Sequence, residues 1–481
     1  MQILLKNAAP IEVEAVVRVV PQQREVVRGT WQGQLIYAKQ FSGARAKKHL
    51  ERDVAGVQQL LNASIPTPAL LFQGDAVAPN SYVAIYAAIT PAQNAEEAYA
   101  QLPKDQRLLL MRQLVQALAL HHKAGLIQTD LYFKNFLLET DQTTGASSLY
   151  TLDGDGIRPI STFFKNHQQR QNLATLFSKM DVLDEDDWLQ YLYQYYCDAM
   201  GMSFSVEGMT NLWLITQKIR QTVASDYADK KVFRTCTDVK VTQNFRYFSA
   251  IASAFSEDET TLLNLDIFLA NAAGNIKNGN TCTIAKALIA NRQVVVKRYN
   301  IKSLLHGFGR AFRKSRAAIS WANAHRLNIS NIATPTPLAL VEERFGWLCQ
   351  RAYFVSAFLD APDVAQYFAE KHSIETKQAV AYEVASLFYR LSLLKISHGD
   401  CKASNLKIKV GKPVLLDLDA MQADPWFFQQ KHIKDLKRFM RNWQQDAETT
   451  LLFKQAFRAA YHEADDPWVL PLLVRAGIAS D

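Results

Sequence analysis

Two stretches of the chain carry acidic and amide side chains in the same order. In the second stretch Asp400 is followed by Asn405 five residues later and by Asp417 twelve residues after that. Phosphoryl transfer needs an aspartate that orients a hydroxyl, an asparagine that holds a metal, and a second aspartate that holds this metal against nucleotide phosphates. We therefore interpret this stretch as the centre of a phosphoryl-transfer site.

The first stretch repeats the pattern with Asp130, Asn135 and Asp153. The interval from the asparagine to the second aspartate is 18 residues here, and the polar turn 140–148 accounts for the excess over the second copy. A single Asp-x-x-x-x-Asn match would be weak evidence, because a loop aspartate often only caps a turn. Since the ordered set occurs twice, chance is a poor explanation for it.

Each set follows a lysine at the end of a predicted strand. Lys39 and Lys297 are placed to hold the α- and β-phosphates of a nucleotide. In the first half Glu51 on the following helix is predicted to fix Lys39, with Asp53 as a substitute. In the second half there is no Asp or Glu from Lys297 to Val341, so we predict that this lysine lacks an acidic partner on its helix.

The elements predicted around the two sets follow one plan. Alternating apolar and polar residues predict antiparallel strands before each lysine, and apolar residues at helical spacing predict a helix after it. The interval from Pro68 to Asp130 is 62 residues, and that from Pro337 to Asp400 is 63. The pattern therefore predicts an α+β protein that contains the same domain twice.

We predict the first domain over residues 1–235, a connecting segment over 236–262 and the second domain over 263–481. The connection is placed there because residues 256–261 are polar and lack an apolar face. Two units of this length are separate domains rather than repeats of a solenoid.

The composition is that of a folded protein with a basic surface. Of 481 residues, 48% are hydrophobic and 21% are charged, and the net charge is +8. A positive charge favours anionic partners such as nucleotide phosphates, nucleic acid or an anionic membrane face, and a basic surface without a specific partner is the alternative. The five cysteines form no Cys-x-x-Cys pair, which argues against disulfides or zinc and favours a reducing cytosol.

Three further features concern contact with membranes and other anionic partners. No stretch reaches the ~18 uncharged apolar residues that a membrane span needs, and no signal peptide is recognisable, so any membrane role is predicted to be peripheral. The basic stretch 302–316 could contact anionic lipid or a phosphorylated glycan, or could be a helix with solvated charges. No recognisable nucleic-acid module occurs, so nucleic acid is not a predicted partner.

Four glycines near the predicted strands are either turn residues or a phosphate cradle, although they do not form Gly-x-Gly-x-x-Gly: Gly29, Gly33, Gly274 and Gly279.

The motifs resemble those of the kinase-like fold, and most closely those of the bacterial lipopolysaccharide core kinases of the Kdo/WaaP type. The resemblance covers most of both halves and implies two tandem protein-kinase-like domains, each with a small antiparallel-sheet N-lobe and a helical C-lobe. It rests on residues 37–39, 65–68, 130–135 and 153–155 in the first half, and on residues 296–299, 334–337, 398–405 and 416–419 in the second.

The resemblance also implies ATP and Mg²⁺ as cofactors. The phosphate would go to a sugar hydroxyl of heptose or Kdo in the lipopolysaccharide inner core or its precursor, in the cytoplasm at the face of the inner membrane. The family pattern implies catalysis by Asp130 and Asp400, ATP binding by Lys39, Glu51, Lys297 and Lys402, and metal binding by Asn135, Asp153, Asn405 and Asp417.

Each half departs from the family pattern at a different position. Gln128 stands where the family has the histidine of its His-x-Asp motif, whereas the second half keeps His398 but lacks the helix acid. Three hypotheses therefore stay open. In the first, the first half transfers phosphate while the second half is another kinase or binds substrate. In the second, both halves are pseudokinases in a scaffold or regulator of envelope-glycan assembly. In the third, the chain phosphorylates a protein or another small molecule.

Overall fold

The chain forms two compact units, Met1–Arg220 and Gln221–Asp481. In each unit an antiparallel sheet is followed by a group of helices. The computed structural model describes residues 1–140, 147–255, 259–270, 275–279, 282–299, 314–346, 348–462 and 469–479. None of the described helices is both long and apolar enough to cross a bilayer.

The first unit begins with a six-stranded antiparallel sheet in the order β1-β2-β3-β4-β6-β5. Its strands are β1 (Gln2–Ile3), β2 (Ile11–Val20), β3 (Arg24–Trp31), β4 (Gln34–Ser42), β5 (Leu70–Asp75) and β6 (Ser81–Ala87). Lys39 on β4 pairs with Val26 of β3 and with Ala84 of β6. Because neighbouring strands hold both edges of β4, the backbone of Lys39 has a fixed position.

The helices of the first unit enclose an apolar core below this sheet. Met111, Leu114 and Leu192 are buried where α3 packs on α5. The helices are α1 (Ala46–Asn62), α2 (Ala95–Gln101), α3 (Lys104–Lys123), α4 (Lys165–Phe177), α5 (Val182–Met200) and α6 (Val206–Ser225). The short strands between them are β7 (Ala92–Asn94), β8 (Leu126–Gln128), β9 (Phe136–Thr140), β10 (Ser147–Thr151) and β11 (Ile157–Pro159).

The second unit has a seven-stranded antiparallel sheet in the order β12-β13-β17-β18-β16-β15-β14. Its strands are β12 (Val239–Gln243), β13 (Tyr247–Ala252), β14 (Asn275–Asn278), β15 (Cys282–Ile289), β16 (Arg292–Tyr299), β17 (Pro337–Phe345) and β18 (Leu348–Ala357). The segment 236–262, predicted to connect the domains, therefore contributes two strands to this sheet. The pairing of β13 with β17 buries Phe248, Ala250 and Ile251, which explains why the segment belongs to the second unit.

The helices of the second unit pack around buried aromatic side chains. Phe388, Phe439 and Phe457 have ring centroids 5.2 to 6.0 Å apart. The helices are α7 (Glu259–Leu263), α8 (Asp266–Ala270), α9 (Arg316–Ile329), α10 (Val364–Ala369), α11 (Ile374–Leu393), α12 (Phe428–Met440), α13 (Ala447–Ala460) and α14 (Val469–Ala476). The short strands are β19 (Ile396–Ser397), β20 (Leu406–Lys409), β21 (Lys412–Leu415) and β22 (Gln422–Ala423).

Residues 302–313 of the predicted basic stretch 302–316 lie outside the described residues. The two described cations of this stretch lie next to carboxylates of the same unit. The Lys314 ammonium lies 3.7 Å from Asp229, and the Arg316 guanidinium lies 2.5 Å from Asp419. The prediction that this stretch binds lipid or glycan therefore stays a prediction.

A buried histidine should make the stability of the first unit depend on pH. His122 lies between the Tyr196 hydroxyl and the Asn172 side chain, at 2.7 and 3.2 Å, and burial lowers its pKa to about 4. A histidine in the unfolded chain has a pKa of about 6.5 and so binds its proton more readily. We expect the free energy of unfolding to fall by about 1.4 kcal/mol per pH unit as the pH drops from 6.5 to 4.

Urea unfolding of the full chain at several pH values measures this dependence. His122→Gln should reduce the slope, whereas His167→Gln, which removes an exposed histidine from α4, should leave it unchanged. Equal slopes in both variants would contradict a buried, neutral His122.

Candidate active site

Three charged side chains of the first unit meet between the sheet and the helices. The Lys39 ammonium lies 2.6 Å from Asp53 on α1 and 3.0 Å from Asp153 in the turn that follows β10. Burial alone would lower the pKa of Lys39, but the Asp53 and Asp153 carboxylates raise it above its usual value. Lys39 is therefore held as a cation between two carboxylates that come from different elements.

The acid that pairs with Lys39 is Asp53, and the prediction of Glu51 was wrong. Asp53 is fully buried, whereas Glu51 is exposed. On α1 the residues Leu50, Asp53 and Val57 are buried at helical spacing, so Asp53 faces the sheet and Glu51 points away from it. The helical period that places Leu50 and Val57 in the core could have identified Asp53.

Close backbone contact sets the distance between α1 and the turn that carries Asp153. A Cβ atom on Gly56 would lie 1.9 Å from the carbonyl oxygen of Gly154, so only glycine allows this approach. Asp153 itself has a φ of 64°, in the left-handed region that is costly for a side chain other than glycine. The strained backbone turns the carboxylate of Asp153 towards Lys39.

Arg24 is a further cation at this site that sequence reasoning missed. Its guanidinium lies 3.5 Å from Asp153, and it comes from the first residue of β3, directly after the hairpin turn at residues 21–23. Burial opposes the ionisation of Asp153, but Lys39 and Arg24 lower its pKa below the usual value. A contact across 129 residues has no local sequence signal, which is why the pattern did not indicate Arg24.

The loop with Asp130 and Asn135 is closed by its own hydrogen bonds. The Asn135 side-chain amide donates to the Asp130 carbonyl at 2.7 Å, and the Asn135 carbonyl accepts from the Leu152 N–H at 2.8 Å. The second bond places Asn135 beside the residue that precedes Asp153. The Asp130 side chain is exposed, so its carboxylate is open to solvent and to an acceptor.

Gln128 occupies the position of the missing histidine and makes the same contact. Its side-chain amide donates to the Leu152 carbonyl at 3.2 Å. In the second unit the ring of His398 donates to the corresponding carbonyl, that of Leu416, at 2.8 Å. Either side chain joins the loop to the residue directly before Asp153 or Asp417, so the exchange preserves the architecture.

The second unit pairs its lysine differently. The Lys297 ammonium lies 2.5 Å from Asp417 and 3.6 Å from Asp419, both in the turn after β21. Burial alone would lower the pKa of Lys297, but Tyr299 and these two carboxylates raise it. Asp417, like Asp153, has a left-handed backbone, with a φ of 58°.

A serine takes the place of the helix acid in the second unit. Ser320 on α9 lies 14 residues before Thr334, as Asp53 lies 14 residues before Thr67. Each threonine hydroxyl donates to a backbone carbonyl two residues before Asp417 or Asp153. Ser320 is buried and its hydroxyl lies 2.8 Å from that of Tyr299. The second unit therefore holds a neutral pair where the first holds a carboxylate.

The aspartate loop of the second unit is more heavily bonded than that of the first. The Asp400 carboxylate lies 3.1 Å from Arg438 and 3.6 Å from Lys402. Asn405 donates to the Asp400 carbonyl at 2.9 Å, as Asn135 does to that of Asp130. The buried carboxylate of Asp435 accepts from the backbone N–H groups of His398 and Gly399 at 2.8 and 2.9 Å.

Both sites lie in regions of the chain that match one known protein family. The model of the lipopolysaccharide kinase (Kdo/WaaP) family matches residues 17–195 and 273–461, which together are more than half of the chain. The chain belongs to this family. The predicted fold class, two tandem protein-kinase-like domains with sheet and helical lobes, is confirmed. A search of curated proteins found no match.

The glycines of this kinase-family chain do not build a cradle in the first unit. Gly33 lies in the turn between β3 and β4, and Gly29 lies within β3, where a Cβ atom would be 2.1 Å from the Glu12 carbonyl oxygen. The hairpin turn that precedes Arg24, residues 21–23, contains no glycine. Both glycines are therefore structural, whereas Gly274 in the second unit lies outside the described residues.

The oxygen atoms at both sites fit a divalent cation such as Mg²⁺. Asn135 uses its amide nitrogen for the Asp130 carbonyl, which leaves its side-chain oxygen available beside Asp153. Asn405 and Asp417 repeat this arrangement in the second unit. Carboxylate and amide oxygens are the protein ligands that Mg²⁺ prefers.

Proposed function

We propose that the chain is an ATP-dependent kinase that phosphorylates a sugar hydroxyl of the lipopolysaccharide inner core, and that the first unit carries out the transfer. The observation that carries this proposal is the placement of the Lys39 ammonium between the Asp53 and Asp153 carboxylates. A fixed cation beside a metal-binding aspartate is the arrangement that aligns and neutralises nucleotide phosphates.

Each residue of the first unit then has a defined task. Lys39 binds the phosphates, and Asp53 keeps it charged and in place. Asn135 and Asp153 would hold Mg²⁺, which neutralises charge on the phosphates when bound. The exposed carboxylate of Asp130 orients the acceptor hydroxyl and accepts its proton.

The acceptor is proposed from the family. Membership in the lipopolysaccharide kinase family supports a sugar hydroxyl of heptose or Kdo as the group that receives phosphate. Such an acceptor is part of a glycolipid, so we place the reaction in the cytoplasm at the inner-membrane face. The net charge of +8 favours anionic glycans and lipids of this kind.

The second unit supports a different role. Lys297 lies directly on the metal aspartate Asp417, and Ser320 stands where the helix acid would be. In the first unit Asp53 on the helix shares Lys39 with Asp153, whereas α9 offers no carboxylate that could share Lys297 with Asp417. We therefore propose that the second unit binds substrate or nucleotide through Lys297 and Lys402 without transferring phosphate.

A direct assay tests the proposed reaction. The purified chain is incubated with Mg²⁺, labelled ATP and lipopolysaccharide core oligosaccharide, and the phosphorylated position is mapped by mass spectrometry. Label on a heptose or Kdo hydroxyl supports the proposal. Binding of ATP without labelling of the glycan would favour a scaffold or a kinase of another acceptor.

Arg24 should contribute to nucleotide binding in the first unit. Its guanidinium already lies beside Asp153 and is mostly buried, so phosphates that bind Lys39 would come within its reach. We expect Arg24→Ala to raise the KM for ATP about tenfold, equivalent to about 1.4 kcal/mol, with a smaller change in kcat.

The matched control for Arg24 is Arg28→Ala. Arg28 is on the same strand, half exposed, and lies 3.7 Å from the exposed Glu14. The Arg28→Ala variant should leave the KM for ATP unchanged. If Arg24→Ala lowers kcat without affecting KM, Arg24 acts only on the position of Asp153.

A further inference from the structure

An exposed aromatic pair occurs at the same place in each unit. In the first unit Phe163 and Phe164 are 92% and 65% exposed, and they lie ten and eleven residues after Asp153. Their counterparts in the second unit are Trp426 and Phe427, which are 87% and 75% exposed.

Such exposure is unusual for side chains of this size. Aromatic side chains bury large apolar areas in folded proteins, and adjacent exposed ones mark surfaces that contact something else. Phe427 also has a left-handed backbone, with a φ of 58°, which is costly for a bulky residue. The pairs are thus presented to the outside rather than packed on their own unit.

A basic helix follows each pair. In the second unit α12 begins directly after Phe427 and carries the exposed cations Lys434 and Lys437, and the exposed Arg441 follows its last residue. The acid of this helix, Asp435, is buried and bonded to backbone N–H groups, so it does not offset the exposed charge. In the first unit α4 has no acid, and it begins at the exposed Lys165.

We propose that each aromatic pair, with the basic helix after it, docks on an anionic phospholipid bilayer. Trp and Phe side chains favour the interface between lipid headgroups and acyl chains, and lysine or arginine side chains are attracted to an anionic surface. Charge complementarity therefore selects an anionic membrane over an uncharged apolar partner. This docking makes the chain a peripheral membrane protein.

Docking would also explain how the site reaches its acceptor. Phe163 lies ten residues after Asp153, so the chain between them spans at most about 35 Å even when fully extended. The inner-core sugars of a membrane glycolipid lie just above the bilayer surface. This part of the inference rests on the proposed function, because it takes the acceptor to be a glycolipid.

Vesicle flotation of the full chain tests the surface itself. Wild type should float with vesicles of phosphatidylcholine and phosphatidylglycerol at least tenfold more than with phosphatidylcholine alone, and salt should weaken this binding. The double variants Trp426→Ser with Phe427→Ser, and Phe163→Ser with Phe164→Ser, should each weaken binding to anionic vesicles about tenfold. The matched control is Val410→Ser, which removes a 93% exposed apolar residue between β20 and β21 and should bind like wild type.

A charge variant distinguishes a membrane from a protein partner. Exchange of Lys434, Lys437 and Arg441 for glutamine should reduce binding to anionic vesicles and leave the weak binding to neutral vesicles unchanged. If the aromatic variants float like wild type, the proposal is overturned. If they instead abolish self-association of the chain in sedimentation, the surface binds a second copy and the lipid proposal is also overturned.

A comparison of acceptors separates this inference from the proposed function. The ratio of turnover on vesicle-embedded lipopolysaccharide to turnover on soluble core oligosaccharide should fall at least tenfold in the aromatic variants. If wild type binds vesicles but phosphorylates neither acceptor, the proposed function fails while the docking surface stands. If this ratio of turnovers does not change, docking does not bring the active site to a membrane-bound acceptor, and that part of the proposal is overturned.

Discussion

Asp130→Ala should reduce kcat on the core acceptor at least 100-fold, whereas Asp400→Ala should reduce it less than tenfold. A positioned general base contributes about 10²–10⁴ to the rate, and Asp130 belongs to the unit whose lysine has its acidic partner. The Asp400 carboxylate contacts Arg438 and Lys402, which leaves it less accessible to an acceptor hydroxyl. Steady-state kinetics with Mg²⁺ and ATP measure both effects.

The control for this pair of variants is Asp105→Ala. Asp105 is an exposed acid in the first turn of α3, and its replacement should leave kcat unchanged. Because Asp130 is exposed, its alanine variant should melt like wild type, so lost activity would not reflect unfolding. If Asp400→Ala abolishes turnover and Asp130→Ala does not, the assignment of the two units is reversed.

Asp53→Ala should damage both stability and catalysis. The buried carboxylate accepts hydrogen bonds from Lys39 and from the Tyr86 hydroxyl, both at 2.6 Å, and from the Asp155 N–H at 3.2 Å. Removing one partner of a buried ion pair costs about 3 kcal/mol, because the remaining charge and hydroxyl stay buried. We expect the free energy of unfolding to fall by about this amount, and kcat/KM to fall about 100-fold as Lys39 loses its position.

Glu51→Gln is the matched control, because it changes a carboxylate on the same helix only two residues away. Glu51 is exposed, so this variant should retain both stability and activity. Asp53→Asn keeps the shape of the side chain and should lose activity with a smaller loss of stability. A Glu51→Gln variant that loses activity as Asp53→Ala does would contradict the pairing of Lys39 with Asp53.

Much of the architecture could be predicted from local sequence. The Asp-x-x-x-x-Asn sets at Asp130 and Asp400 and the lysines of the preceding strands are short patterns, and their recurrence in the same order in both halves indicated a duplicated α+β fold. The place of residues 236–262 in the second unit could not be predicted, because it depends on the pairing of β13 with β17, about 90 residues later in the chain. Hydrogen bonds between strands carry no signal in the sequence of one strand.

The sequence by itself determined which side chains can do phosphoryl-transfer chemistry, and it also determined that the helix after Lys297 lacks an acid. Only the tertiary structure decided which groups meet. It paired Lys39 with Asp53 rather than Glu51, because packing fixes which face of α1 turns to the sheet. It also brought Arg24 to Asp153, because a hairpin and a turn far apart in the chain converge on one point in space.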